Sequence, residues 1–348
     1  MLGEIIDQIG DLNGGAMIAA RERQSNLTKP PGSLGVLEDI AVKIAGIMQT
    51  PLPTISGKAV LIMAGDHGVV EEGVSAWPSD VTVQMLQNFV HGGAAINVLA
   101  RHAGAKVVVV DVGVKAQLNL AGVASCKVRP GTANITLGAA MTREEAMKAI
   151  QVGFSQAQAA IDQGANLLAT GDMGIGNTTP SSAILAAFSS MPVAKVIGRG
   201  TGVNDNGLQK KISAIEKALA VNKPDPRDAL DVLSKVGGLE IAAIAGVILG
   251  GASCRVPVLI DGFISGAGAL VAAKLAPKAR NFMLASHLSE EPGHHYMLQL
   301  LDLSPILRMR MRLGEGTGAV LAMPVVEAAC NIHAEMATFQ QAGVAEKI

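Results

Sequence analysis

Short, almost unbroken apolar runs alternate along the chain with longer segments whose apolar residues recur at helical spacing. Five runs carry the strand signal: Lys58–Met63, Lys106–Asp111, Asn166–Thr170, Val256–Asp261 and Asn281–Ser286. They are nearly continuous in apolar residues rather than alternating, so each is expected to be covered on both faces, as in a parallel sheet between helices. The intervening segments carry helix starts. Thr142-Arg143-Glu144-Glu145 reads as a capping box, and Asp225 before Pro226 as an N-cap with proline at the first helical position. Strands alternating with helices predict an α/β fold, a parallel Rossmann-like sheet flanked by helices. The two ends differ. Residues 1–48 carry only helical signals, with Ser33 expected to cap a helix over Leu34–Met48, and residues 317–348 also read as helix. The expected division is a small helical domain from 1–50 and 317–348, and a large α/β substrate-binding domain over 51–316.

Composition narrows the class. Hydrophobic residues make up 49% and charged residues 16%, which excludes a disordered chain. The 40 glycines have no three-residue period, which excludes a collagen-like repeat. A net charge of −1 offers no broad basic field for nucleic acid, and with aromatics at 2% there is no base-stacking platform. Cys126, Cys254 and Cys330 form no CxxC pair, so they read as small buried thiols of a reducing cytoplasm rather than a zinc site or disulfides. Mean hydropathy is +0.37. The longest uncharged apolar run, Ile241–Cys254, falls short of the roughly 20 residues a membrane helix needs and suits a buried core helix. Glu4 and Asp7 stand where a signal peptide would want positive charge. The expectation is a soluble cytoplasmic protein with neither membrane nor nucleic-acid partner.

In an open parallel sheet, ligands bind beyond the carboxyl ends of the strands. Six loops fall at such places, 64–69, 171–180, 198–205, 261–266, 286–291 and 313–318, and all but 286–291 bear glycine. Glycine lets backbone N–H groups approach a ligand, and a helix start favours an anion. Residues 174–180 combine glycines, Asn-Thr-Thr and Pro180 at a helix start. Residues 198–204 are followed by Lys210 and Lys211. Together they suggest a phosphate site, although no GxxxxGK[ST] and no convincing GxGxxG after the first strand is present. Glu315, between two glycines and before an apolar helix, reads either as a ligand-facing carboxylate able to take a proton or as a helix-start charge. Asp66, His67, His287, His294 and His295 raise a metal reading, but their spacing matches no HExxH. No metal is expected, and His294 and His295 read as a solvated helix face.

In their order, several segments resemble the nicotinate-nucleotide–dimethylbenzimidazole phosphoribosyltransferases of cobalamin lower-ligand synthesis. They are Leu27-Thr28-Lys29-Pro30-Pro31-Gly32-Ser33-Leu34-Gly35, the 64–69 loop, Gly73-Val74-Ser75-Ala76 through Met85, Gly92–Asn97, Gly174–Thr179, Gly200-Thr201-Gly202, Ser286–Glu291 and Leu313–Gly318. The resemblance implies transfer of 5-phosphoribose from nicotinate mononucleotide to 5,6-dimethylbenzimidazole with inversion at the anomeric carbon, giving α-ribazole 5′-phosphate and nicotinate. It implies Glu315 as the base, and an acceptor pocket of Ser75, Trp77, Gln84, Met85 and Leu313. It assigns ribose and phosphate to Asp172, Gly174, Gly176, Asn177, Thr178, Gly200, Thr201, Gly202 and Lys211, with Ser289 on the nicotinate side. It implies no cofactor, and a homodimer in which the partner helps to complete the site. Two residues depart from the family pattern: Asp172 stands where glutamate is usual, and Trp77 where tyrosine is frequent. The alternatives are a non-catalytic base- or nucleotide-binding paralogue, and a metal-dependent hydrolase built on Asp66, His67 and His287.

Overall fold

The computed structural model describes residues 2–200 and 202–345. Its single sheet has six strands: β1 (Lys58–Gly65), β2 (Ala105–Gly113), β3 (Val123–Ser125), β4 (Leu167–Met173), β5 (Val258–Ile260) and β6 (Met283–Ala285). The order is β3-β2-β1-β4-β5-β6, and every neighbouring pair is parallel. All five apolar runs are strands. β3 has no apolar-run signal, because it is a three-residue edge strand that pairs only with Val109–Asp111. The chain steps outward from β1 to β3 and returns beside β1 as β4. That reversal is a topological switch point, where a doubly wound sheet opens its ligand crevice. Register sets the crevice level: Met63 lies opposite Asp172, and Ala64 opposite Met173.

Successive residues of β1 serve two cores, as alternation across a pleat demands. Ala59, Leu61 and Met63 pack with the helices Arg143–Asp162, Leu239–Ser253 and Phe263–Leu275. Val60, Ile62 and Ala64 pack with the helices Val36–Met48 and Thr317–Glu335. The apolar run over 241–254 becomes the buried Leu239–Ser253 helix. It meets the Arg143–Asp162 helix backbone to backbone. A Cβ on Gly153 would lie 1.8 Å from the Ala243 carbonyl oxygen, and one on Gly246 1.9 Å from that of Ile150. Among the described residues, no helix is long and apolar enough to cross a membrane.

The Thr142 capping box forms. Thr142 Oγ1 accepts from the Glu145 N–H at 3.1 Å, and Glu145 Oε2 accepts from the Thr142 N–H at 2.8 Å. Two other helix starts are displaced. Ser33 caps nothing: Gly32 and Gly35 take left-handed φ of 75° and 54°, the helix begins at Val36, and Glu38 Oε1 accepts from the Leu34 N–H. Asp225 instead closes a turn onto the Asp228 N–H, and Asp228 caps the helix that starts at Ala229. Proline suits the second position of a β-turn as well as a helix start, so the Asp-Pro signal is ambiguous. The cysteines also differ from expectation: Cys330 is buried, Cys126 half-buried, and Cys254, at a helix end, exposed. Beyond Glu335 a short helix covers Phe339–Ala342, and residues 346–348 of the expected C-terminal helical segment lie outside the described residues.

Candidate active site

A cavity of about 410 Å³ opens beyond the carboxyl ends of β4, β5 and β6. Its walls come from the segments that leave these strands and from a strap ending at Glu315. The strap runs through three consecutive left-handed residues: Gly314 (φ 84°), Glu315 (63°) and Gly316 (88°). Such a conformation costs a non-glycine residue about 1 kcal/mol or more and persists only where packing imposes it. Here the Glu315 carbonyl sits on Gly171, where a Cβ would lie 2.6 Å from that oxygen. Buried Asp261, after β5, ties down the following helix by accepting from the Gly316 N–H at 3.3 Å and the Ala319 N–H at 2.9 Å. The Glu315 carboxylate therefore points into the cavity at 6% exposure, with Oε2 3.4 Å from the Ile96 N–H at the start of the Ala95–Ala103 helix. Burial raises its pKa, the Ile96 N–H opposes that, and Asp261 adds to it. The net rise brings a carboxylate closer to neutral, as a general base requires.

Asp172 ends β4 beside the strap, buried, with Oδ2 accepting from Asn177 Nδ2 at 2.9 Å. Burial first, then the charge of Asp261, holds its pKa well above the usual carboxylate range. It therefore keeps a proton in a range where an exposed aspartate has lost it, and can donate a hydrogen bond. Past Asn177, two glycine-rich loops converge on Lys211. Its Nζ donates to Thr178 Oγ1 at 2.8 Å and to the Gly198 carbonyl at 3.0 Å. Lys211 is 1% exposed, and burial lowers its pKa to about 8. Gly174 and Gly200 line the cavity, whereas Lys211 is not part of its lining and sits against Gly200. A Cβ on Gly174 would lie 2.2 Å from the Gly65 carbonyl, so the turn can pass only as glycine. Gly176 packs behind it on Val70, and Gly202 lies exposed away from the cavity lining. Thr201 lies outside the described residues.

The other end is apolar. Trp77, Val81, Met85, Ile175 and Leu313 line it, and Trp77 and Leu313 stand 54% and 59% exposed at its rim. Ser75 supports the rim instead of lining it: its Oγ donates to the Trp77 carbonyl and accepts from the Trp77 N–H. Gln84 does not line the cavity either. Ser289 lines it, with Oγ accepting from the Glu291 N–H at 3.3 Å.

Three groups in or beside this site were not singled out from sequence, Asp261, Glu291 and Arg312, and His287, raised only as a metal candidate, also lines it. All lie in or next to the loops that follow the strands or the strap, yet residue type alone could not show which side chains turn inward. His294 reverses its expectation. It is fully buried, its Nδ1 accepts from the Ser289 N–H at 2.9 Å, and burial together with His287 lowers its pKa to about 3. The first turn of its helix faces the protein interior, where Gly293 packs on Phe263, while His295 is exposed. The metal triad does not assemble. Asp66 and His67 line a separate cavity, His67 Nε2 is bonded to Glu240 Oε1 at 2.8 Å, and His287 lines the first cavity. Among the described residues, no group of three or more His, Cys, Asp or Glu side chains could hold a metal ion.

The double cap makes Asp261 a positioning residue for the strap. Asp261→Ala is expected to lower kcat more than it raises either KM, and to destabilise by about 1–2 kcal/mol through the two lost caps. Steady-state kinetics with thermal melts would check both.

A phosphoribosyltransferase family model matches residues 9–344. The nicotinate-nucleotide–dimethylbenzimidazole phosphoribosyltransferase of Desulforamulus reducens is 56% identical, covering 99% of both chains. That of Chloroflexus aggregans is 57% identical over 100% of this chain and 99% of its own. The crystal structure of the enzyme of that name from Thermus thermophilus superposes with a TM-score of 0.92 at 48% identity, covering 97% of this chain and 100% of that one.

Proposed function

Since the chain belongs to the nicotinate-nucleotide–dimethylbenzimidazole phosphoribosyltransferase family, we propose a residue-level scheme for its cavity. The protein is a phosphoribosyltransferase of cobalamin lower-ligand synthesis. In the scheme, 5-phosphoribose moves from nicotinate mononucleotide to 5,6-dimethylbenzimidazole. The observation that carries the scheme is the placement of Glu315 between an apolar rim and the loops joined by Lys211.

The donor phosphate binds at Lys211, Thr178 and the glycine turns at 174, 176, 200 and 202, with Thr201 in the same loop. The ribose lies against Asp172 and Asn177, and the nicotinate towards Ser289. The acceptor ring stacks among Trp77, Met85 and Leu313, with Ser75 and Gln84 behind the rim. One acceptor nitrogen attacks the anomeric carbon from the face opposite the leaving ring. The C1′–N bond to nicotinate breaks with its electron pair going to the pyridine nitrogen, so the anomeric centre inverts. The proton on the acceptor's second nitrogen passes to Glu315. The scheme balances without metal or redox cofactor. Holding both substrates in line removes much of the entropic barrier.

A shortened Asp172 motivates the non-catalytic paralogue. Glu315 aimed into the cavity and Lys211 bridging both loops disfavour it. The exposed Trp77 and Leu313 support a homodimer whose partner covers the rim. Residues 1–50 with 317–348 are read as its small helical domain, 51–316 as the large one, and the cytoplasm as its compartment. Mixing both substrates with the protein should yield α-ribazole 5′-phosphate and nicotinate in equal amounts, and neither when one substrate is omitted. Nicotinate release without the acceptor would overturn the scheme. Lys211→Met should raise the donor KM by about 10–100-fold, the loss of one charge-assisted contact, and leave the acceptor KM nearly unchanged.

A further inference from the structure

Glu291 is the buried carboxylate of this cavity's lining that the scheme leaves without a task. It lines the cavity at the phosphate end, directly before the Pro292–Leu301 helix. Its side chain does not cap that helix. Its Oε2 has no hydrogen-bond partner among the described residues and is wedged against Gly198, where a Cβ would lie 1.9 Å away. The groups that act on it come from three other segments. Lys211 faces it from the Asp205–Asn222 helix, Arg312 from the strap, and the Gly200 N–H from the phosphate loop. Arg312 donates to the Gly200 carbonyl at 3.1 Å, so it belongs to the same cluster. On its own helix, His294 is occupied by the Ser289 N–H. An internal carboxyl thus sits in a cradle of two cations and an amide.

We propose that Glu291 takes up a proton when the donor phosphate enters this cradle, so that a neutral carboxyl and the phosphate share the two cations. The inference rests on the donor assignment above. A phosphate dianion competes with the carboxylate for Lys211, Arg312 and the Gly200 amide. Two anions in one low-dielectric cradle cannot both stay ionised without cost. The phosphate is the stronger ligand for the cations because it offers more oxygens. The carboxyl is already biased towards its neutral form, since burial outweighs the two cations and the amide. The proton comes from solvent, and no bond other than the carboxyl O–H forms. Protonation removes the charge from an oxygen, Oε2, that no donor among the described residues satisfies.

The sign follows from linkage. If the bound state holds a proton that the free enzyme has lost, affinity falls as pH rises between the free and bound pKa values, by up to about tenfold per pH unit. Calorimetric titration of nicotinate mononucleotide into the full-length protein, without acceptor, tests this in two phosphate-free buffers of different ionisation enthalpy at pH 7, where Lys211, lowered to about 8, already holds its proton. The heats should differ by an uptake approaching about one proton per donor bound. Glu291→Gln, which imitates the neutral carboxyl, should abolish the uptake and bind the donor at pH 7 at least as tightly as wild type. Nicotinic acid riboside, which lacks the phosphate, should show no uptake. Tight wild-type binding with buffer-independent heats overturns the proposal and leaves the donor assignment standing. So does a Glu291→Gln protein that binds weakly at every pH, which would make Glu291 an acceptor for a ligand hydroxyl. Absence of donor binding to wild type overturns the donor assignment and this proposal with it.

Discussion

Glu315→Gln is expected to lower kcat by about 10²–10⁴-fold while both KM values stay within a few-fold of wild type. The amide keeps the shape of the side chain and can still accept from the Ile96 N–H, but it cannot take the acceptor's proton. The pH profile provides an independent readout. Burial raises the Glu315 pKa, so kcat should fall, as pH drops, through a limb displaced above the range of an exposed glutamate. That limb should be absent from the residual activity of the variant. The stability effect has the opposite sign. A carboxyl whose folded pKa is raised contributes stability that is present at low pH and lost as pH rises through that pKa. At neutral pH the ionised side chain is a burden on the fold, and Glu315→Gln should melt no lower than wild type. A folded variant with kcat within a few-fold of wild type would remove Glu315 from the chemistry.

Gly246→Ala is expected to have the largest effect on stability, about 3 kcal/mol or more, with Gly153→Ala close behind. Each added methyl would have to occupy space within 2 Å of a backbone oxygen, at Ile150 and Ala243 respectively. Backbone cannot turn aside as a flexible side chain can. The Leu239–Ser253 and Arg143–Asp162 helices must separate, and the first of them also packs directly on the sheet below the switch point. Gly138→Ala is the control, because nothing lies within 4 Å of its new Cβ, and its expected cost is under about 0.5 kcal/mol. Chemical denaturation of the three variants would rank them. A Gly246→Ala protein as stable as the control would mean that the two helices are not in backbone contact.

The strands were legible because burial on both faces demands unbroken apolar runs, and β1, β2, β4, β5 and β6 meet that demand. β3 was not, since a three-residue edge strand needs only a partner's free backbone groups and places little constraint on side chains. The Thr142 box was legible because donor and acceptor lie three residues apart. Asp225 misled because a turn and a helix start ask for the same residues, and only the backbone path separates them. His294 misled because polarity says nothing about which side of a helix faces the interior. The glycine-rich loops were found through their composition, but Lys211 as the group that joins two of them depends on an approach between residues 33 and 13 positions apart.

Local chain chemistry was enough to read the parallel α/β sheet, the loops that carry ligands and the strap around Glu315. Each depends on local requirements: apolar runs for two-sided burial, glycine for left-handed or closely packed backbone. Only the tertiary structure decided which side chains converge and in what state of charge. It set the pKa shifts of Asp172, Glu291, Glu315 and Lys211 by burying them among groups from distant segments. Desolvation and charge–charge energies depend on distance in space, and separation along the chain does not encode that distance.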